Sequence, residues 1–146
     1  MRALLQRASA ASVSVDGEVL GSIGWGWVVL LGVAATDTEA VAGRLAARIV
    51  NLRGFDDEAG RLNRSLLDIS GSALVVSQVT LYADTAKGRR PSFNGAAPLD
   101  LAEHLVDHLA ASLRTLSVHV ECGRFRAHMV VHVENDGPVT FLLAQD

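Results

Sequence analysis

Apolar and polar positions alternate with a strand's period near both ends of the chain and with a helix's period over two stretches between them. Ala3 to Gln6, Ser12 to Val15, Glu18 to Ile23 and Trp27 to Val33 read as strands, with Asp16-Gly17 as a hairpin turn. The last run is almost wholly apolar, as a central strand would be. Thr36-Asp37-Thr38-Glu39 fits a capping box, Thr36 taking the Glu39 amide, and Val41, Leu45, Ile49 and Leu52 follow at helical spacing. Gly54 to Ser65 is polar and reads as a loop or short hairpin. Ala73 to Ala83 predicts a second buried strand, with Val75, Ser77, Val79 and Leu81 on one face and Val76, Gln78, Thr80 and Tyr82 on the other. A loop from Asp84 to Ala97 leads to a helix that opens near Pro98 and turns Leu101, Leu105, Leu109, Leu113 and Leu116 inward. Val118 to Glu121, Ala127 to Glu134 and Val139 to Leu143 complete the strands.

This order predicts an α/β fold, two helices packed on one face of a mixed or antiparallel β-sheet system, with the N- and C-terminal strand groups supplying a second sheet layer. With 146 residues, 49% of them hydrophobic, and no linker or repeat, the chain fits a single domain spanning 1–146. Two helices leave faces uncovered that suit dimerisation. The longest apolar run, Trp25 to Ala35, is interrupted by Gly26 and Gly32 and is too short to span a bilayer, and residues 1 to 11 lack a signal-peptide core, so a soluble cytoplasmic protein without membrane attachment is expected.

Net charge of −3 argues against coating nucleic acid by bulk electrostatics. Lys87, Arg89 and Arg90, and separately Arg124 and Arg126, form local basic groups able to hold a phosphate backbone, although solvated loop charge is the plainer reading. A lone cysteine, Cys122, excludes an intrachain disulfide; alternation puts it on the strand face away from His119, which makes it a structural thiol. His104 and His108 lie one helical turn apart, but without the intervening glutamate of a metalloprotease motif they belong to a solvated face, and no metal site is assigned. His128 and His132 fall opposite Met129, Val131 and Val133 and point outward or toward another subunit. Nucleotide, dinucleotide and serine-hydrolase glycine motifs are all missing.

Two short stretches remain. Asn135-Asp136-Gly137-Pro138-Val139-Thr140, with an apolar strand on each side, reads as a turn, an edge or a displayed loop, since proline gives no ladder hydrogen bond. Ser77-Gln78-Val79-Thr80-Leu81 puts hydroxyls and an amide in an apolar strand with no base beside them, so its hydroxyls either satisfy backbone groups or serve a reaction in which the substrate brings its own hydroxyl.

Together with Leu4-Leu5-Gln6-Arg7, Ala11-Ser12-Val13, Leu30-Leu31-Gly32-Val33, Ala83-Asp84-Thr85, Gly88-Arg89-Arg90-Pro91-Ser92-Phe93 and Gly123-Arg124-Phe125, these stretches make the chain resemble the D-aminoacyl-tRNA deacylases from end to end. The resemblance implies a homodimer with active sites at the subunit interface, acting without metal or organic cofactor on the aminoacylated 3′ end of tRNA. It implies hydrolysis of the D-aminoacyl ester and of glycine mischarged on an alanine tRNA. Ser77, Gln78 and Thr80 would be catalytic, with strand amides around Val79 and Thr80 polarising the ester. Thr80 is a candidate nucleophile; the favoured alternative has the ribose 2′-hydroxyl helping to activate water while Thr80 orients. Gly137 and Pro138, joined by a cis bond and inserted into the partner's pocket, would reject L-amino acids, with Val79 in the same pocket. Phe125 and Met129 would hold the terminal adenine, Arg7 would brace the Gly-Pro loop, and Lys87, Arg89 and Arg90 would meet phosphates.

Three positions depart from the family pattern: Val79 stands where phenylalanine is usual, His128 where an acid is usual, and Arg126 where a small residue is usual. Two other readings stay open, a related deacylase acting on an L-aminoacyl-tRNA and a non-catalytic dimer that binds a tRNA end or a nucleotide.

Overall fold

A computed structural model describes residues 1–146. Its frame is one long hairpin. β1 (Arg2–Val15) runs unbroken where the sequence suggests two strands, turns at Asp16-Gly17 with both residues at positive φ (50° and 80°), and returns as β2 (Glu18–Ile23) and β3 (Gly26–Gly32). Ala11 faces Ile23 and Ala8 faces Gly26, so β2 and β3 are successive stretches of the return arm, broken at Gly24-Trp25. A side chain cannot replace hydrogen at Gly26, where a Cβ would stand 1.8 Å from the Ser72 carbonyl oxygen.

α1 (Glu39–Asn51) carries the chain from β3 over a short hairpin, β4 (Phe55–Asp56) and β5 (Leu62–Arg64), to β6 (Ser72–Ser77), parallel to β3. α2 (Leu99–Thr115) then leads to β7 (His119–Cys122), parallel to β6. Both crossovers step the same way across the sheet, and the usual hand of such connections puts both helices on one face. β8 (Val130–Ala144) closes the sheet by pairing antiparallel along the free side of β1. The predicted mixed sheet with two helices on one face therefore stands.

Alternation sorts the core. Ala3, Leu5, Trp27, Val29, Leu31, Ala73 and Val75 pack beneath the helices with Val41, Leu45, Ile49, Leu105, Leu109 and Leu113. Leu116, which ends the predicted stripe, is the C-cap and stays 36% exposed. Val28, Leu74 and Val76 point to the opposite side, into a second core with Ala11, Val13 and Ile23. That second core exists because the sheet curls until β2 lies against β6 and β7, so the predicted second layer is the folded-over end of the same sheet.

Three local expectations are corrected. The cap of α1 is Thr38, whose hydroxyl accepts from Val41 N (3.4 Å); Asp37 instead accepts from Ala34 N and pairs with the Met1 amino group, both at 2.6 Å. The strand through Ser77 stops there. Its neighbour β3 ends at Gly32, so Gln78 donates to Leu31 O (2.7 Å) and the chain tightens into a 3₁₀ turn, Val79–Tyr82. The alternation proposed for Val79 to Tyr82 is thereby lost. Lastly, of the readings of Gly137-Pro138 as a turn, an edge or a displayed loop, the turn is excluded, because the chain does not reverse there. Gln6 pairs with Thr140 and Ala8 with Asn135, so residues 136–139 bulge out opposite Arg7 while β8 keeps its direction.

Candidate active site

The ends of β3 and β6 open onto a cavity of about 230 Å³. Ser77, Gln78 and Val79 form one rim, Phe125, Arg126, Ala127 and Met129 another, and Leu31, Val33, Ala96, Ala97, Leu99, Ala102 and Val106 the apolar floor and wall. A parallel pair of strands ending together commonly leaves such a crevice. Five residues picked from the sequence, Ser77, Gln78, Val79, Phe125 and Met129, thus meet in one place.

Thr80 sits beside the rim, exposed, with its hydroxyl accepting a hydrogen bond from the Gln78 side-chain amide. The opening of a 3₁₀ turn leaves its first amides, those of Val79 and Thr80, without carbonyl partners inside the turn, as a site for developing negative charge requires. Two residues to which the sequence assigned no role at the site hold this turn. Arg2 donates from Nη1 to Leu81 O (2.8 Å) and lays its guanidinium 4.5 Å from the Tyr82 ring centre. Gly32 lies under the turn, where a Cβ would stand 3.0 Å from Leu81 Cβ and 3.2 Å from Gln78 O. A glycine closing a buried strand was the available signal for the second; the first had none.

Met129 closes over Gly123 so tightly that a Cβ there would be 2.5 Å from its sulfur. Arg126, beside the aromatic Phe125, takes a positive φ of 63°. The His128 side chain is exposed.

Gly137 and Pro138 lie elsewhere. They flank a second cleft lined by Arg7, Trp25, Phe55, Asp56, Ile69 and Asp136, and neither borders the Ser77 cavity of its own chain. The Gly137-Pro138 peptide is cis, with Gly137 at φ 118°. Arg7, 5% exposed, donates from Nε to Asp136 O (3.2 Å) and from Nη1 to Gly54 O (3.2 Å), and pairs with the carboxylates of Asp56 (3.1 Å) and Asp136 (3.0 Å). Asn135, oriented to satisfy both ends of its amide, donates to Arg7 O (3.0 Å) and Val139 O (3.2 Å), tying off the neck of the bulge. Below them Trp27 packs against Phe55 (4.6 Å) and Phe141 (6.1 Å between ring centres).

Other candidates carry no chemistry in this arrangement. Glu39, at the start of α1, lies 2.7 Å from His104 Nε2 and 3.9 Å from His108 Nδ1 on the side of α2, and no group of three or more histidine, cysteine or acidic side chains is disposed to hold a metal ion. His119 pairs with Glu121 (3.1 Å). Burial pushes the Cys122 thiol up from its ordinary value, against the pull of Arg114 3.6 Å away, so it is not a ready nucleophile. Lys87, Arg89 and Arg90 lie exposed on the loop before α2. No helix is long and apolar enough to cross a membrane.

Residues 4–144 match the family model described as D-Tyr-tRNA(Tyr) deacylase. A D-aminoacyl-tRNA deacylase of Roseiflexus sp. (strain RS-1) is 60% identical over 98% of this chain and 92% of its own. A solved structure titled c-Myc DNA Unwinding Element Binding Protein superposes with TM-score 0.92 at 39% identity, covering 99% of this chain and 98% of that one. Another, of a probable eukaryotic D-amino acid tRNA deacylase, shares the fold at TM-score 0.85 and 17% identity over 97% of both chains. A family match spanning nearly every element described above leaves one conclusion: the chain belongs to the D-Tyr-tRNA(Tyr) deacylase family.

Proposed function

We propose that this protein hydrolyses the ester between a D-amino acid and the terminal ribose of tRNA, releasing both. The observation that carries the reading is the Ser77 cavity, in which an apolar wall, an aromatic-and-thioether pair and a polar rim with free amides surround one small volume. Phe125 and Met129 receive the terminal adenine, which places the ribose and its ester toward Gln78 and Thr80. The Val79 and Thr80 amides stabilise the oxyanion as water attacks. Thr80, held by Gln78, orients the reactants, and the ribose 2′-hydroxyl helps to activate the water, since no side-chain base adjoins Thr80.

The Gly137-Pro138 bulge acts on a second copy. It projects from an edge strand, away from its own cavity, so it serves as a screen only when a homodimer brings it to the partner's rim. A main-chain wall there admits hydrogen or a D side chain and collides with an L one, which selects by rejection. Glycine, with no side chain to reject, is released as well, including glycine mischarged on an alanine tRNA.

The test is hydrolysis of D-tyrosyl-tRNA beside L-tyrosyl-tRNA by the purified chain. D-selective release is expected. L-selective release would transfer the protein to a deacylase of opposite preference, and release of neither, with retained binding of the tRNA end, would make it a binding module.

A further inference from the structure

Arg126 is the only charged residue that lines the Ser77 cavity. No aspartate or glutamate shares that lining, and none of the chain's ion pairs includes Arg126. Arg126 is exposed at the mouth of this largely apolar cavity, so its guanidinium is free to take an anionic group of whatever enters there. The backbone points the same way. Arg126 holds φ at 63°, a conformation that glycine adopts freely and a residue with a Cβ adopts at a cost, in a turn closed by Ala127 N donating to Arg124 O (3.2 Å). A long cation in a position that favours glycine, next to Phe125 in the chain, is placed to act beside whatever Phe125 holds.

Resting on the deacylase reading above, we infer that Arg126 recognises phosphate: its guanidinium takes the phosphodiester on the 5′ side of the terminal adenosine while Phe125 and Met129 hold the base. The 5′-phosphate of a nucleotide hangs from the ribose beside its base, so neighbouring residues can grip both. Arginine suits the task, because its planar fork gives two hydrogen bonds to one phosphate and keeps its charge at any working pH. Arg126 is thus a specificity residue of this chain: it makes the enzyme favour an adenosine that continues into a polynucleotide over the same ester on a free nucleoside.

The experiment compares three substrates, D-tyrosyl-tRNA, the D-tyrosyl ester of adenosine 5′-monophosphate and that of adenosine, for the wild type, Arg126→Gly and Arg126→Lys. The glycine variant is expected to raise KM about ten-fold for the two phosphate-bearing substrates, with kcat unchanged, and to leave the adenosine ester unaffected. The slope of log KM against log salt on tRNA should fall by about 0.7, one single-strand phosphate contact. Melting temperature should hold or rise, because glycine relieves the backbone, which separates lost recognition from a damaged fold. Arg126→Lys should keep part of the preference. An equal KM rise on all three substrates, or a wild type indifferent to the 5′-phosphate, overturns the assignment. So does inorganic phosphate competing as well as adenosine 5′-monophosphate, which would mark a site for free anion. If the wild type releases no amino acid, the deacylase reading falls by itself, and titration with adenosine 5′-monophosphate against adenosine still decides Arg126.

Discussion

Arg7 grips Asp136 twice, through its main-chain carbonyl (3.2 Å) and its carboxylate (3.0 Å), and so holds the Gly137-Pro138 bulge by the residue that begins it. Replacing Arg7 with methionine keeps the apolar stem but leaves the Asp136 and Gly54 carbonyls without this donor. The expected cost is about 2 kcal/mol, less than for a fully buried pair because both carboxylates reach solvent. Urea unfolding measures it, and D-over-L discrimination should drop in parallel. Arg7→Lys should rescue little, since an ammonium cannot reproduce the fork.

Gly137→Ala tests the bulge itself. A Cβ there would stand 2.8 Å from Val139 Cγ2 and 3.1 Å from Arg7 Nη2, on a backbone at φ 118°. Destabilisation of about 1–3 kcal/mol is expected, together with a smaller ratio of D- to L-tyrosyl-tRNA hydrolysis. A variant that folds and keeps the full ratio would remove this loop from substrate selection.

Gly32→Ala should separate turnover from stability. The added methyl meets Leu81 and the Gln78 carbonyl, so the 3₁₀ turn must lift and carry Thr80 with it. The shift these contacts demand is a few tenths of an ångström, a fraction of the roughly 1 Å misplacement that can cost on the order of a hundred-fold in rate. Single-turnover hydrolysis should slow several-fold while adenosine binding, proposed to rest on Phe125 and Met129, changes little.

How far these features were legible depends on how local their causes are. The Asp16-Gly17 turn, both helices and the buried β3 rest on short-range period and turn chemistry, and all were readable. Val79 to Tyr82 continues an alternation that belongs to a strand, yet β6 ends because β3 beside it ends at Gly32, a cause 46 positions away from Gln78. Gly137-Pro138 carries the residues of a turn. Whether such residues reverse a strand or bulge from it is decided by the strand opposite, here β1, and no local pattern encodes that. The cavity residues Ser77, Gln78, Val79, Phe125 and Met129 were found through family motifs; their meeting depends on α2 and the loop before it, and Arg2 came from neither source.

Cys122 supplies a prediction in pH. Its raised pKa means that the folded chain keeps a proton that the unfolded chain releases. The resulting stabilisation is complete below the ordinary value of 9.0 and is lost as pH rises through the higher folded value. Alkylation of the native protein should therefore be slow at neutral pH and accelerate only above 9, and Cys122→Ala should deacylate at the wild-type rate. Inactivation by that substitution would return the thiol to the catalytic candidates.

The pairing of β1 with β8 governs when this protein becomes itself. Arg7 and Asp136 are 129 positions apart, so the bulge acquires its shape only after the intervening residues and Asp136 itself have left the ribosome. Until then β1 has a bare edge along the side that β8 will cover, flanked by Ala3, Leu5, Ala8, Ala11 and Val13, which the finished molecule buries. The interval before β8 emerges is therefore the one of greatest exposure to aggregation, and the arrival of β8 ends it while giving the bulge its shape.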